Sequence, residues 1–590
     1  MKKILVILLF TSLFTACTDH FLELDPLDEI TEAAYFTDPS QFKTAANDFY
    51  DQMLGWRHYD GDYLDWGTDL TTMVQDYGSG NLVASNTDDW WDDTYVNLRN
   101  VNILLEKAEL YEGDQADIAE YVAVAKFFRA YHHFFLLQRY GGVPIVTEVP
   151  SIDSEVLSAP RNSRYEVFAQ VYTDLKAAIP DLLPEQQIAS ADKGKISKWA
   201  AEAFLAKALL YEATWEMNVG TTTDGDGTSA GAGSAKPSDY LSTTEMLTES
   251  NTLAKDVMDN GGYELWDYND EYPELKNWSN LYLFNLEDAG SNPAGLDKSS
   301  NKEFILYTKF DYNLYKGNAL ISHTVPGRLG GTHKFIDMFL CSDGLPVDKS
   351  SLFQGYAGAS DEYKNRDYRL TSYFADYDTW DTPENGSINL VSSIMEGCGH
   401  KCRKFRVYKW GEYRASYEES YDYPQIRLAE VYLIYAETLY HLNGGLTDAQ
   451  LNESVNLVKA RAGLPPLTNE FASNNGMDIW EEIMRERTIE LYAENSRYND
   501  LKRFAIAEDV LNDYILGPVI EGTEYENNPD LYTPENWPYG EIKAKTGVGM
   551  RNVVIIDIPS NRSFSRTDYL YPIPLEQINL NSKLLQNPGY

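Results

Sequence analysis

The chain has 590 residues, with 91 Asp and Glu against 49 Lys and Arg, for a net charge of −42. That balance excludes a binder of nucleic-acid phosphates, which needs a basic face, and argues against adhesion to anionic headgroups or bulk attraction of polyanions. Forty-three Tyr and 12 Trp offer rigid surface with polar tips, which suits a neutral, hydroxyl-rich ligand.

The first predicted element is an export signal. Lys2 and Lys3 precede an apolar run from Ile4 to Phe14, too short to span a bilayer, which needs roughly 20 residues. Phe14-Thr15-Ala16-Cys17 resembles a bacterial lipobox, so residues 1–16 are expected to be a lipoprotein signal and Cys17 the lipidated residue. Two or more acyl chains anchor stably. No later segment is long and apolar enough to cross a membrane, so the chain reads as tethered rather than inserted.

Beyond the signal, helical periodicity dominates both ends of the chain. Helices are predicted over Trp91–Glu109, Ile118–Tyr140, Arg164–Ile179, Ser197–Trp215 and residues 245–259, several stopped by Gly-Gly or Pro. Ala200, Ala201, Ala203, Ala206 and Ala208 beside Phe204 and Tyr211 resemble the close-packing positions of tetratricopeptide-type hairpins. Residues 219–238, rich in Gly, Ser and Thr, read as a flexible surface loop. Residues 262–424 carry few helical periods and short β-like runs at Glu303–Phe310 and Lys404–Trp410, an irregular loop-rich inserted subdomain. Helices return at Ile426–Leu442, Ala449–Ala462 and Ile479–Phe504. The expected fold is mainly α. A helical N-terminal region (17–261) and a C-terminal region (425–590) frame the insertion.

Catalytic motifs are scarce. The sequence has no phosphate loop or H-E-x-x-H helix. His132-His133 fall inside a predicted helix, where packing or capping is expected. Cys398-Gly399-His400-Lys401-Cys402 leaves a tetrahedral zinc site one ligand short, so a local Cys398–Cys402 disulfide is the expectation, with unpaired packed thiols and, after them, a metal site as the alternatives. The basic run Lys401, Arg403, Lys404, Arg406 and Lys409 reads as a solvated strand paired with nearby acids, or as an anionic-sugar subsite. For a neutral glycan the requirement is an aromatic face flanked by hydrogen-bonding groups. Two clusters meet it: Trp66, Asp69, Tyr77, Asn81, Asn86, Asp88 and Trp90, and then Tyr268, Tyr272, Trp278 and Asn280.

Five segments in order resemble the SusD/RagB-like outer-membrane lipoproteins: AKFFRAYHHFFLLQRYGGVPIVTE (125–148), QIRLAEVYLIYAETLY (425–440), VNLVKARAGLP (455–465), IMRERTIELYAENSRYNDLKRF (483–504) and the terminal YPIPLEQINLNSKLLQNPGY. Thr488 stands where the family often has a second arginine, and Asn495 where it often has glycine. The Arg and Glu residues of the late segments alternate at helical spacings, either pairing between packed helices or forming a solvated face. The resemblance implies a helical scaffold with ligand contacts in variable loops, the Trp56–Trp91 region among them. It also implies a non-catalytic glycan receptor facing the cell exterior, delivering oligosaccharide to a SusC-like TonB-dependent transporter without a cofactor. A peptide or other non-glycan nutrient remains an alternative ligand. A glycoside hydrolase also remains open, since 91 acidic residues could supply its two carboxylates.

Overall fold

In the computed structural model most long helices begin at a short polar side chain that satisfies a free backbone N–H. Asp38 caps α1 (Pro39–Asp48) and Asp88 caps α2 (Asp89–Glu109). Ser163, Ser197 and Ser242 do the same for α4 (Arg164–Ala178), α5 (Lys198–Asn218) and α6 (Thr243–Asn260). Helix α3 (Ala119–Tyr140) lacks a side-chain cap and ends at Gly141, whose φ of +76° suits glycine. A Cβ there would also meet Leu570 Cδ1 at 2.7 Å. The structure describes residues 35–56, 64–314, 317–318, 330–358, 360–374, 400–406, 417–526 and 537–590, with single positions 408, 415, 528 and 532. The expected signal segment, Cys17 and Cys398 lie outside the described residues.

The architecture is mainly α. Consecutive helices pack in pairs, α2 on α3, α3 on α4 and α5 on α6, and α6 also packs on α7 (Leu428–Asn443). Every alanine singled out along α5 is at most 1% exposed, so small side chains are what allow these close approaches. Strand β1 (Phe304–Thr308) runs antiparallel to β2 (Tyr423–Arg427), pairing Phe304 with Arg427 and Thr308 with Tyr423. A C-terminal sheet has the order β3–β5–β4, from Ile515–Val519, Gly549–Asp557 and Glu541–Thr546.

Four expectations need correction. The predicted helix 449–462 is two pieces, Asp448–Asn452 and α8 (Val455–Arg461), broken at Ser454 with φ −139° and ψ −96°. The predicted helix 479–504 is also two, α9 (Ile479–Glu490) and α10 (Arg497–Arg503), because Ala493 and Asn495 adopt left-handed φ of +58° and +60°. A glycine at position 495 would meet that requirement without strain. The 219–238 loop is not wholly at the surface: Asp224 is fully buried and the Gly231 amide donates to the Gln586 carbonyl at 2.5 Å. Lys404 and Phe405 form a turn, not the expected strand, and Lys409 and Trp410 lie outside the described residues.

A second core gathers side chains of residues 262–424 with others from the segments on both sides of them. Trp66, Trp266, Phe284, Phe335, Tyr373, Phe405 and Tyr492 belong to an aromatic cluster separate from the larger core of the helical frame. Where the two meet, charge is buried. Arg427 Nη1 lies 2.8 Å from Glu303 and 2.5 Å from Glu490, and its Nε lies 2.8 Å from Glu494. Arg461 joins Glu303 at 2.5 Å and also pairs with Glu490. Arg369, from the insertion, reaches Glu486 at 2.6 Å, Glu490 at 2.8 Å and Asp367 at 2.7 Å. Lys404 pairs with Glu494 at 2.7 Å, and Lys459 lies 4.0 Å from Glu486. Five cations (Lys404, Arg369, Arg427, Lys459, Arg461) thus meet five carboxylates (Glu303, Asp367, Glu486, Glu490, Glu494), all at most 8% exposed. The interhelical reading of the late Arg and Glu residues holds, and a solvated face does not describe these.

Glu490 is the hub. Burial alone would raise its carboxyl, but Arg461, Arg427 and Arg369 hold it well below the usual carboxylate range. Removing one member of such a network leaves its partners buried and unpaired, so Glu490→Gln should destabilise the fold by about 3–5 kcal/mol. Because the folded carboxyl is depressed, its contribution is present above the unfolded value of about 4.3 and lost as pH falls below it. Denaturant unfolding of the Glu490→Gln variant should therefore show the full deficit at pH 7 and a smaller one at pH 3.

Candidate functional site

The site is organised by one carboxylate. Asp88 Oδ1 accepts the Trp90 backbone N–H at 3.0 Å, starting α2. Asp88 Oδ2 accepts the Tyr140 hydroxyl at 2.6 Å and Arg139 Nη2 at 3.1 Å, tying that first turn to the end of α3. Trp90 is thereby set against Phe135, ring centroids 5.2 Å apart at 38°. The Arg139 guanidinium lies 3.7 Å from the Tyr571 ring centroid and 5.8 Å from that of Trp90.

Trp90 and Phe135 form a wall shared by two openings. One is a cavity of about 210 Å³, lined by aromatics (Tyr77, Trp90, Phe135, Tyr498, Tyr571) and by polar groups including Gln138, Lys207, Asn495 and Asn499. Tyr77 meets Tyr498 edge-on at 4.7 Å. The other is a cleft of about 360 Å³ whose polar lining includes Asp51, Gln52, Asp93, Asn97 and Asn100. Tyr131 also lines both, but its hydroxyl is engaged with Gln425 at 2.9 Å and the Leu54 amide at 3.0 Å. A flat apolar face beside amides and carboxylates is the arrangement that binds sugar rings, through C–H faces on the aromatic and hydroxyls on the polar groups. A larger cleft of about 530 Å³ holds Asp69, Lys334, Asp337, Lys349, Arg485 and Lys545, with Tyr514 as its one tyrosine.

The predicted aromatic and polar residues do not converge on one surface. Tyr77 and Trp90 line the central cavity. Trp66 is 1% exposed and packs in the aromatic core. Asp69 is 4% exposed and bonded to Arg497 at 2.8 Å and Lys334 at 3.1 Å. Burial would raise its carboxyl, yet those two cations hold it low. Asn81 is exposed, its amide donating to Ser79 and to the Asn561 carbonyl. In the second cluster Trp278 and Asn280 are buried, the former under Arg403 at 4.0 Å. Tyr268 and Tyr272 remain half-buried, with centroids 5.8 Å apart. Eight of the ten described tryptophans are buried, which leaves Trp90 and Trp480 with part of their surface accessible.

The other sequence candidates are structural. Of the basic run, Lys401, Arg403 and Lys404 are each at most 5% exposed, so these three form neither a solvated face nor an open subsite. Cys402 is a buried, free thiol, pushed up to about 12 by burial, and Cys398, its expected partner, lies outside the described residues. His132 bonds Gln52 and His133 the Arg129 carbonyl, and burial lowers both to about 3 and about 4, leaving them neutral. Among the described residues no cluster of His, Cys, Asp and Glu could hold a metal ion.

Residues 297–590 match the model of the SusD family, and residues 31–210 match one described as starch-binding associating with outer membrane. This chain belongs to the SusD/RagB family. It is 25% identical over 528 residues to a SusD-like protein of Bacteroides ovatus, covering 85% of this chain and 82% of that one. It is 24% identical to the SusD-like protein P2 of Formosa agariphila, covering 100% and 99%. Among solved structures, a SusD-like carbohydrate binding protein of Bacteroides fragilis superposes with a TM-score of 0.66 at 22% identity, covering 93% and 99%. A laminarin binding SusD-like protein superposes with a TM-score of 0.56 at 18% identity, covering 93% and 99%. These likenesses establish the SusD-like fold. Among the described residues no helix is long and apolar enough to cross a membrane.

Phe135, Arg139 and Tyr571 were missed because they fall in the segments that carry the family resemblance, which read as scaffold. The usable signal was the run of aromatics around Arg139 just before the Gly141-Gly142 stop. Burial separates the two tryptophans experimentally. Trp66→Ala should cost about 3–5 kcal/mol of stability, as for a fully buried aromatic, whereas Trp90→Ala should shift the melting midpoint far less; differential scanning calorimetry of both variants checks this.

Proposed function

We propose that this chain is a non-catalytic receptor that captures an oligosaccharide on the Trp90 wall and delivers it to a SusC-like TonB-dependent transporter. The observation that carries the reading is the half-exposed Trp90 face, held by Asp88 and Phe135 between two openings lined with amides and carboxylates. Family membership supports it, as do the relatives described as carbohydrate binding and laminarin binding. A lipid on Cys17 and placement on the outer-membrane exterior accord with the lipobox-like segment and with the matched model's description as associating with outer membrane. Tyr268 and Tyr272 are proposed as a second, lesser contact surface, since the other aromatics of their cluster are buried.

Affinity electrophoresis through gels containing starch, laminarin, xylan or galactomannan tests the reading, with a reducing-sugar assay run alongside. Retardation by one polysaccharide without product release is the expected outcome. Trp90→Ala should weaken that binding tenfold or more, about 1.4 kcal/mol. Release of reducing ends would favour a hydrolase. Absence of retardation, with binding found instead in a peptide screen, would move the ligand to a non-glycan nutrient.

A further inference from the structure

Asp65 lines the central cavity and is 3% exposed. Its Oδ1 accepts the Arg497 backbone N–H at 3.0 Å, at the start of α10, while its Oδ2 has no hydrogen-bond partner among the described residues. A buried carboxylate oxygen without a donor is costly, and native structures rarely tolerate one without a use for it. The backbone is unusual at the same place. Leu64 and Asp65 both adopt left-handed φ, +55° and +58°, a strained pair for non-glycine residues and one found where position matters more than stability. The turn is held there from several sides: the Thr68 hydroxyl and amide donate to the Asp65 carbonyl at 2.7 and 3.2 Å, and the Leu64 amide donates to Asn495. Burial, only partly opposed by the Arg497 and Ala493 amides, pushes the carboxyl up to about 7.

We infer that the cavity is a subsite for the end of a neutral glycan, in which Asp65 Oδ2 accepts a hydrogen bond from a hydroxyl of the terminal sugar ring. This rests on the glycan reading of the Trp90 wall and adds to it a residue that determines which ring end is accepted. At about 210 Å³ the cavity is smaller than the roughly 300–1,000 Å³ that drug-sized ligands fill, so it takes a single ring rather than an extended chain. Tyr77 and Tyr498 provide aromatic surface beside it. Oδ2 is closed off from solvent, so the incoming hydroxyl would supply the donor it lacks once the side chain turns toward the cavity, and an analogue without that hydroxyl would leave the carboxylate unpaired.

Asp65→Asn is the test, because it keeps the shape and the Oδ1 acceptor while replacing Oδ2 with a donor. The measurement is calorimetric titration with oligosaccharides cut from whichever of starch, laminarin, xylan or galactomannan retards the parent most, at pH 6 and pH 8, with melting midpoints for each variant. A folded carboxyl raised toward 7 loses its favourable contribution as pH rises from the unfolded value of about 3.9, so at pH 8 the ionised group burdens the fold. The variant should therefore melt no lower than the parent at pH 8, yet bind tenfold or more weakly. The parent should bind more tightly at pH 8 than at pH 6, since the hydroxyl donates to the ionised form, and the variant should show no such slope. Charged groups facing Asp65 are Arg497 and Asp500 of α10, Glu494 before it and Lys404 from the insertion. Across the cavity stand Arg139, Lys207 and Lys502, with Tyr77, Tyr131, Tyr423, Tyr498 and Tyr571. Loss of the slope in the variant assigns it to Asp65 rather than to these. Equal affinity in parent and Asp65→Asn, while Trp90→Ala abolishes binding, overturns the Asp65 subsite and leaves the glycan reading intact. A lower melting midpoint with unchanged affinity makes Asp65 structural and likewise overturns it. No retardation of the parent by any polysaccharide overturns both.

Discussion

The structure turns on carboxylates that are buried only because guanidinium groups surround them. Glu490, at the last residue of α9, is shared by Arg369, Arg427 and Arg461, which arrive from the insertion, from β2 and from α8. In a chain with a net charge of −42, five cations balanced against five acids at one seam is a concentrated use of scarce positive charge. Such networks add little net stability relative to apolar packing, since desolvation offsets much of the attraction. Their consequence here is geometric. Planar guanidinium forks bond carboxylates in a few orientations, so the hub admits one register between the helical frame and the insertion.

That register in turn positions the openings around Trp90. The cavity is bounded by α3 and α5 on one side and by β2 and the turn between α9 and α10 on the other, and the hub joins β2 to that turn through Arg427, Glu490 and Glu494. Asn495, in the same turn, accepts from the Leu64 amide and donates to the Tyr423 hydroxyl. Asp65 is the next residue along the chain. Its strained conformation is thus maintained by contacts that trace back to the buried ion network.

Much of the fold was legible in the sequence. Helices α2 to α7 arise from apolar periodicity, because a helix that packs one face must repeat its apolar residues every three or four positions, and α2, α4, α5 and α6 add a polar start. The breaks at Ser454 and at Ala493–Asn495 were not legible, since neither segment contains proline and helical spacing continues across both; left-handed φ at Ala and Asn is imposed by tertiary contacts. The candidate site was legible only in part. Tyr77, itself 4% exposed, and Trp90 line one cavity, whereas Trp66, Trp278 and Asn280 looked equally exposed among Asp, Asn and Gly and proved to be core. Local composition reports how polar a segment is, but it does not say which neighbour will cover a given ring.

The sequence by itself determined that this is an acidic, aromatic-rich, mainly α chain with the marks of the SusD/RagB family, because helix period, small-residue packing and terminal motifs are encoded locally. Only the tertiary structure decided which of its many aromatics and acids are available to a ligand. Availability depends on contacts between residues hundreds of positions apart: Arg497 beside Asp69, Asn495 beside Leu64, Tyr571 beside Arg139. Those pairings set burial, and burial decides whether a tryptophan is core or platform and whether a carboxylate is a structural anchor or an oxygen still lacking its donor.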